Sequence, residues 1–185
     1  MPYALLSVTD KKDLIPLATA IMRVGYGLLS TGGTAKHLRD AGLAVEDVSD
    51  CTQFPEIFGG RVKTLHPKIF AGILRREKDL PQLKKLGGSP IPLVVVNLYA
   101  FEDTVAKPGV EEAEAIEKID IGGPSLLRAA AKNWEMTSVI SSPSQYSKVI
   151  EELEDHKTIR REMRWDLAKE AFGKTAAYGV AISRW

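Results

Sequence analysis

Three groups of residues in this 185-residue chain have the types and spacing to act on an anionic substrate. The most specific is Asp120, followed by Ile121, Gly122, Gly123 and Pro124. A carboxylate beside a glycine turn that opens a helix supplies a proton acceptor, and the amides around Ile121–Gly123 supply donors to an oxyanion. Plain capping of the helix by Asp120 accounts for the same residues. The second group is GGRVKTLHPK at 59–68, which places Arg61, Lys63, His66 and Lys68 close together. Arg61 and Lys63 alternate with Val62, so both can project one way while Val62 anchors the backbone. Lys68 reads as solvated, and His66 before Pro67 as a structural hydrogen-bonder.

The third group is a pair of turns. Ser30-Thr31-Gly32-Gly33-Thr34 follows a strand pattern and opens a helix. Its glycines let backbone approach an anion, the helix start presents free amides to it, and Thr31 and Thr34 add hydroxyls. A turn that simply needs glycine, with Thr34 as its cap, explains the segment equally well. Ser7, Thr9, Asp10, Lys11 and Lys12 follow the first strand pattern, and in parallel sheets ligands bind beyond the carboxyl ends of strands. Asn97 and Tyr99 end the strongest strand pattern and suit a site, or a capped loop with a packed ring. Lys132 lies eight residues after Pro124, about 12 Å along an ideal helix. It joins Asp120 only if the substrate spans that distance or the helix lies along the pocket.

The elements that must position these residues alternate. Strand patterns fall at 4–8, 27–30, 43–49, 93–99 and 136–141; helical patterns at 13–25, 34–41, 110–119, 123–135 and 143–156. LVVVNLY at 93–99 is continuously apolar, as in a strand covered on both faces of a parallel sheet. From Thr158 a long helix repeats apolar positions at Ile159, Met163, Leu167, Ala171 and Phe172. The charged stretch 75–92 reads as a loop. The pattern predicts one α/β domain over 1–185 with a mainly parallel sheet flanked by helices. Net charge is +1, which gives no general pull toward nucleic acid or membrane. Cys51 is the single cysteine, so no disulfide can form within the chain. The N-terminus has no signal-peptide pattern and no run is long enough for a membrane span, so a cytoplasmic protein is expected.

Together ALLSVTDK, LLSTGGTAKHLRDAGL, FPEIFGGRVKTLHPKI, VVVNLY, IDIGGPSLLRAAAKN and, more loosely, AFGKTAAY resemble the cyclohydrolase half of the bifunctional purine-biosynthesis enzymes that also carry a formyltransferase domain. The resemblance covers nearly the whole chain. It implies a methylglyoxal-synthase-like fold and ring closure of 5-formamidoimidazole-4-carboxamide ribotide to IMP and water, with no cofactor or metal. It implies that Thr9, Asp10, Lys11 and Thr31–Thr34, with Gly32 and Gly33 between, hold the 5′-phosphate and ribose side. Arg61, Thr64, Asn97, Ile121 and Gly122 would line the rest, while Lys63, Tyr99, Asp120 and Lys132 would carry chemistry. Ala100, Phe70, Lys174 and Gly179 depart from the family pattern, which has Pro, His, His and Asp there. No formyltransferase domain is expected in these residues. A methylglyoxal-forming lyase and a nucleotide-sensing module are the rival readings on the same fold. The long C-terminal helix suggests a homodimer.

Overall fold

The computed structural model describes residues 1–98, 101–106 and 108–185. Five strands form one parallel sheet: β1 Tyr3–Val8, β2 Gly27–Ser30, β3 Val45–Asp47, β4 Leu93–Asn97 and β5 Ser138–Ile140, in the order β3-β2-β1-β4-β5. Leu5, Leu6 and Val94–Val96 are almost wholly buried, as continuous apolar runs covered on both faces must be. The chain leaves β1 toward β2 and β3, then crosses back to place β4 on the other side of β1. The strand order therefore reverses between β1 and β4. The crevice beyond the carboxyl ends at such a reversal is where open parallel sheets bind ligands.

The helices in chain order are α1 Leu14–Arg23, α2 Gly32–Asp40, α3 Val48–Thr52, α4 Pro67–Leu74, α5 Leu80–Lys85, α6 Phe101–Val105, α7 Glu112–Glu117, α8 Gly122–Lys132, α9 Tyr146–His156 and α10 Arg161–Arg184. Helix α1 buries Leu14, Leu17, Ala18 and Ile21, the 3.6-residue stripe of a helix laid on a sheet, and packs beside α9. The stripe Leu126, Leu127, Ala130 and Ala131 of α8 is buried against β4, β5, α4 and α10. Its alanines let the neighbouring elements come close.

The structure differs from the sequence expectation at several elements. The stretch 75–92 is not a plain loop: a short turn at Glu77–Asp79 leads into α5, which buries Leu83. The third strand stops at Asp47, because Val48 turns inward as the first residue of α3. Pro67 opens α4 rather than breaking a loop, since a first-turn position needs no amide hydrogen. His66 caps that helix, its Nδ1 accepting from the Lys68 amide at 3.2 Å. Tyr99 and Ala100 lie outside the described residues.

Candidate active site

A cavity of about 780 Å³ opens at the carboxyl ends of β1, β2 and β4. It is walled by the turns after those strands, by residues 59–65, and by residues 116–123 at the start of α8. Thr9, Lys11, Thr31, Gly32, Gly33, Thr34, Arg61, Lys63, Thr64, Asn97, Asp120, Ile121 and Gly122 all line it. Segments far apart in sequence thus converge on one space.

The phosphate-suited side is built from two turns locked together. Helix α2 begins at Gly32, whose φ of +55° is left-handed and suits glycine. The Thr34 hydroxyl is not offered to the cavity: it is buried, donates to Val8 O at 2.9 Å and accepts from Val8 N at 3.0 Å. It ties α2 to β1, and Thr31 occupies the cap position instead. Asn97 has a similar job. Its Oδ1 accepts from the amides of Thr9 and Asp10 at 2.7 and 3.0 Å, and its Nδ2 donates to Asp10 O at 2.8 Å. The turn that carries Lys11 is thereby held by the end of β4. Asp10, by contrast with the expectation, is not among the residues that line the cavity, and its carboxylate accepts from the Lys12 amide at 2.9 Å.

On the cationic side, Val62 pairs with Ile57 in a single antiparallel bridge, which leaves Arg61 and Lys63 facing the cavity as their alternation predicts. Each faces a carboxylate that the sequence did not single out. Arg61 Nη2 lies 2.5 Å from Glu117 Oε2, joining this loop to α7. Lys63 Nζ lies 3.6 Å from Glu56 Oε2, which also accepts from the Thr31 hydroxyl at 3.5 Å. Glu117 sits in an acid-rich helix that reads as a solvated face, so nothing local marks it. A Cβ at Gly32 would stand 3.9 Å from Lys63 Nζ, which sets this ammonium directly over the glycine turn.

Asp120 occupies the opposite wall. Its Oδ1 accepts from the Gly123 amide at 2.8 Å, so that amide is engaged by the carboxylate and is not a free donor to an oxyanion. Gly123 has to be glycine, because a Cβ there would run into Asp120 Oδ2 and stand 2.8 Å from Leu98 Cδ2. Burial pushes the Asp120 carboxyl above the ordinary aspartate range, while the Gly123 and Gly122 amides and the Lys63 charge pull it down. The net result is a carboxylate more basic than an exposed one. Lys132 does not line the cavity. It is the exposed last residue of α8, ten positions beyond Gly122, about 15 Å along the helix axis. The cavity also has an apolar rim of Ile121, Ile116 and Leu65, which are 60%, 46% and 36% exposed. Among the described residues, no three His, Cys, Asp or Glu side chains gather where they could hold a metal ion.

A cationic loop and a half-buried carboxylate that face one cavity at the reversal point of a parallel sheet define an α/β domain with an anion-suited site. The chain belongs to the MGS-like domain family, whose model matches residues 13–125. Residues 130–185 match the AICARFT/IMPCHase bienzyme model. Among its relatives, the bifunctional purine biosynthesis protein PurH of Myxococcus xanthus is 52% identical over 185 residues, and that of Synechococcus sp. (strain CC9605) 51% over 189. These alignments take in 98% and 100% of this chain but 36% of each relative, so the chain spans about a third of their length. The crystal structure of ForH superposes with a TM-score of 0.87 at 38% identity, covering 99% of this chain and 95% of that one.

Proposed function

We propose that the chain is an IMP cyclohydrolase, closing the six-membered ring of 5-formamidoimidazole-4-carboxamide ribotide to give IMP and water. The observation that carries this reading is that Lys63 and Asp120 face one cavity together with the Thr31–Gly33 cradle. The similarity to PurH proteins and to the bienzyme model supplies the purine. The exposed Ile121, Ile116 and Leu65 offer a flat heterocycle an apolar surface beside the polar turns.

In this reading the 5′-phosphate sits on the Gly32–Gly33 turn, with Lys11 and Thr31 beside it. The carboxamide nitrogen attacks the formyl carbon and passes a proton to Asp120, whose burial makes it a better base than an exposed aspartate. Negative charge collects on the formyl oxygen, to which Lys63 donates. That oxygen takes back the proton held by Asp120 and a second from the formamido nitrogen, and it leaves as water as the new C=N bond forms; the former carboxamide nitrogen keeps its other proton. Holding the two reacting groups in one rotamer supplies much of the acceleration. The reading assigns these residues ring closure and no formyl transfer. It makes the enzyme cytoplasmic and homodimeric, with the exposed Trp165, Phe172 and Val180 of α10 as the face that self-association covers. Sedimentation velocity reads that state.

The test follows the absorbance change on IMP formation from the formamido substrate. The parent turns over, and Lys63→Ala and Asp120→Asn each lose about a hundredfold or more in kcat. Methylglyoxal formed from dihydroxyacetone phosphate would assign the lyase reading instead, and IMP binding without turnover the sensing module. Lys132→Ala in the same assay reads directly whether that residue takes part.

A further inference from the structure

We infer that Tyr178, on the C-terminal helix α10, is a positioning residue that sets Asp120 from behind. The Asp120 amide belongs to no helix or strand ladder, and it donates to the Tyr178 hydroxyl at 2.8 Å across 58 positions of sequence. The same hydroxyl lies 3.4 Å from Lys118 O, to which it donates. One phenol therefore bridges the two polar backbone groups that bracket Ile119 in the cavity wall. The ring is itself held: Phe101 meets it edge-on at a centroid distance of 6.4 Å, and Phe101, only 1% exposed, packs edge-on against Trp185 at 5.5 Å.

Asp120 is thus fixed at both ends, by Tyr178 at its backbone and by the Gly123 amide at its carboxylate. The two bonds set where the carboxylate stands relative to Lys63. The phosphate side of the cavity is fastened separately, by Thr34 on Val8 and by Asn97 on the Thr9–Asp10 turn. Loss of the phenol hydroxyl should therefore act on the chemical step and not on substrate capture. The AFGKTAAY segment carries this residue, and the proposed mechanism had given it no task.

The inference rests on Asp120 being the base of the proposed reaction, and its test separates the two claims. Tyr178→Phe keeps the ring and removes only the hydroxyl. The expected result is a kcat about tenfold lower or more, since small misplacements of a reacting group are expensive in rate, with KM for the formamido substrate within twofold. Amide hydrogen exchange at Asp120 should quicken in the same variant while its thermal midpoint stays close to the parent's. A parental kcat in Tyr178→Phe overturns the inference whatever the exchange rate, and so does a KM that rises as much as kcat falls. If Asp120→Asn keeps full turnover, the base assignment falls, and the inference with it. A quickened Asp120 amide in Tyr178→Phe would then identify the contact as purely structural.

Discussion

Asp120 is asked to be ionised and half-buried at once, and the two requirements oppose each other. Burial raises its proton affinity, so the folded protein holds a proton on this group at pH values where the unfolded chain has released it. Folding stability therefore falls as pH rises from the ordinary aspartate value through the raised one, and stays lowered above it. Asn at this position accepts the Gly123 amide without a charge to desolvate. Asp120→Asn should accordingly melt above the parent at pH 7, by about 2–4 °C for each kcal/mol of burial cost relieved. The gap should close as pH drops below the ordinary aspartate range. Melting curves for both proteins across pH 3–8 check this, and a variant that melts below the parent at pH 7 would refute it. The acidic limb of kcat should likewise lie above the pH at which an exposed aspartate ionises. Stability given up at a site that works is an expected exchange.

At the scale of elements, periodicity carried a large part of the description because each strand and helix buries one consistent set of side chains. Gly27–Ser30 falls where GLLS places it, and α8 buries the stripe that its leucines and alanines mark. The site was legible for the same reason: Arg61 and Lys63 reach one cavity because the Val62–Ile57 bridge enforces their alternation. What could not be read depends on contacts between distant segments. The Thr34 and Asn97 side chains look like ligand donors in sequence, yet both fasten turns to β1 or its loop. Lys132 reads as part of the Asp120 motif, but helix geometry carries it to the far end of α8. The helix α4 was hidden because Pro67 reads as a breaker until its place in the first turn is known. Packing of α4 also gives a clear prediction. A Cβ at Gly72 would stand 2.5 Å from Ser89 O and 2.9 Å from Ile91 Cγ1, in a segment whose Ile91 amide donates to Gly72 O at 3.0 Å. Gly72→Ala must push that backbone away and should cost about 1–3 kcal/mol. Denaturant unfolding measures the loss, and a midpoint equal to the parent's would contradict it.

For the whole molecule, the cavity is the place where the ends of β1, β2 and β4, the 59–65 loop and the 116–123 turn all meet. Arg61 and Glu117 join two of these segments before any ligand arrives, and Asn97 joins two more. A nucleotide that touches several of them at once binds the folded chain and not the unfolded one, so it must raise the stability of the whole sheet. At a hundred times its dissociation constant, IMP should add about 2.7 kcal/mol, on the order of 5–10 °C in thermal midpoint for a chain of this size. Lys11 separates recognition from folding in this measurement. Among the described residues its Nζ makes only a long 3.3 Å bond to Thr9 O on an exposed turn, so Lys11→Ala should leave the unliganded midpoint within about a degree. The shift at the same IMP concentration should shrink markedly, because the phosphate has lost its ammonium. Turnover at saturating substrate should stay near the parent's, with the loss appearing in KM. Thermal melts with and without IMP decide the matter. An undiminished shift in Lys11→Ala would mean that the phosphate does not sit at the β1 turn, and the orientation of the nucleotide in the cavity would have to be reversed.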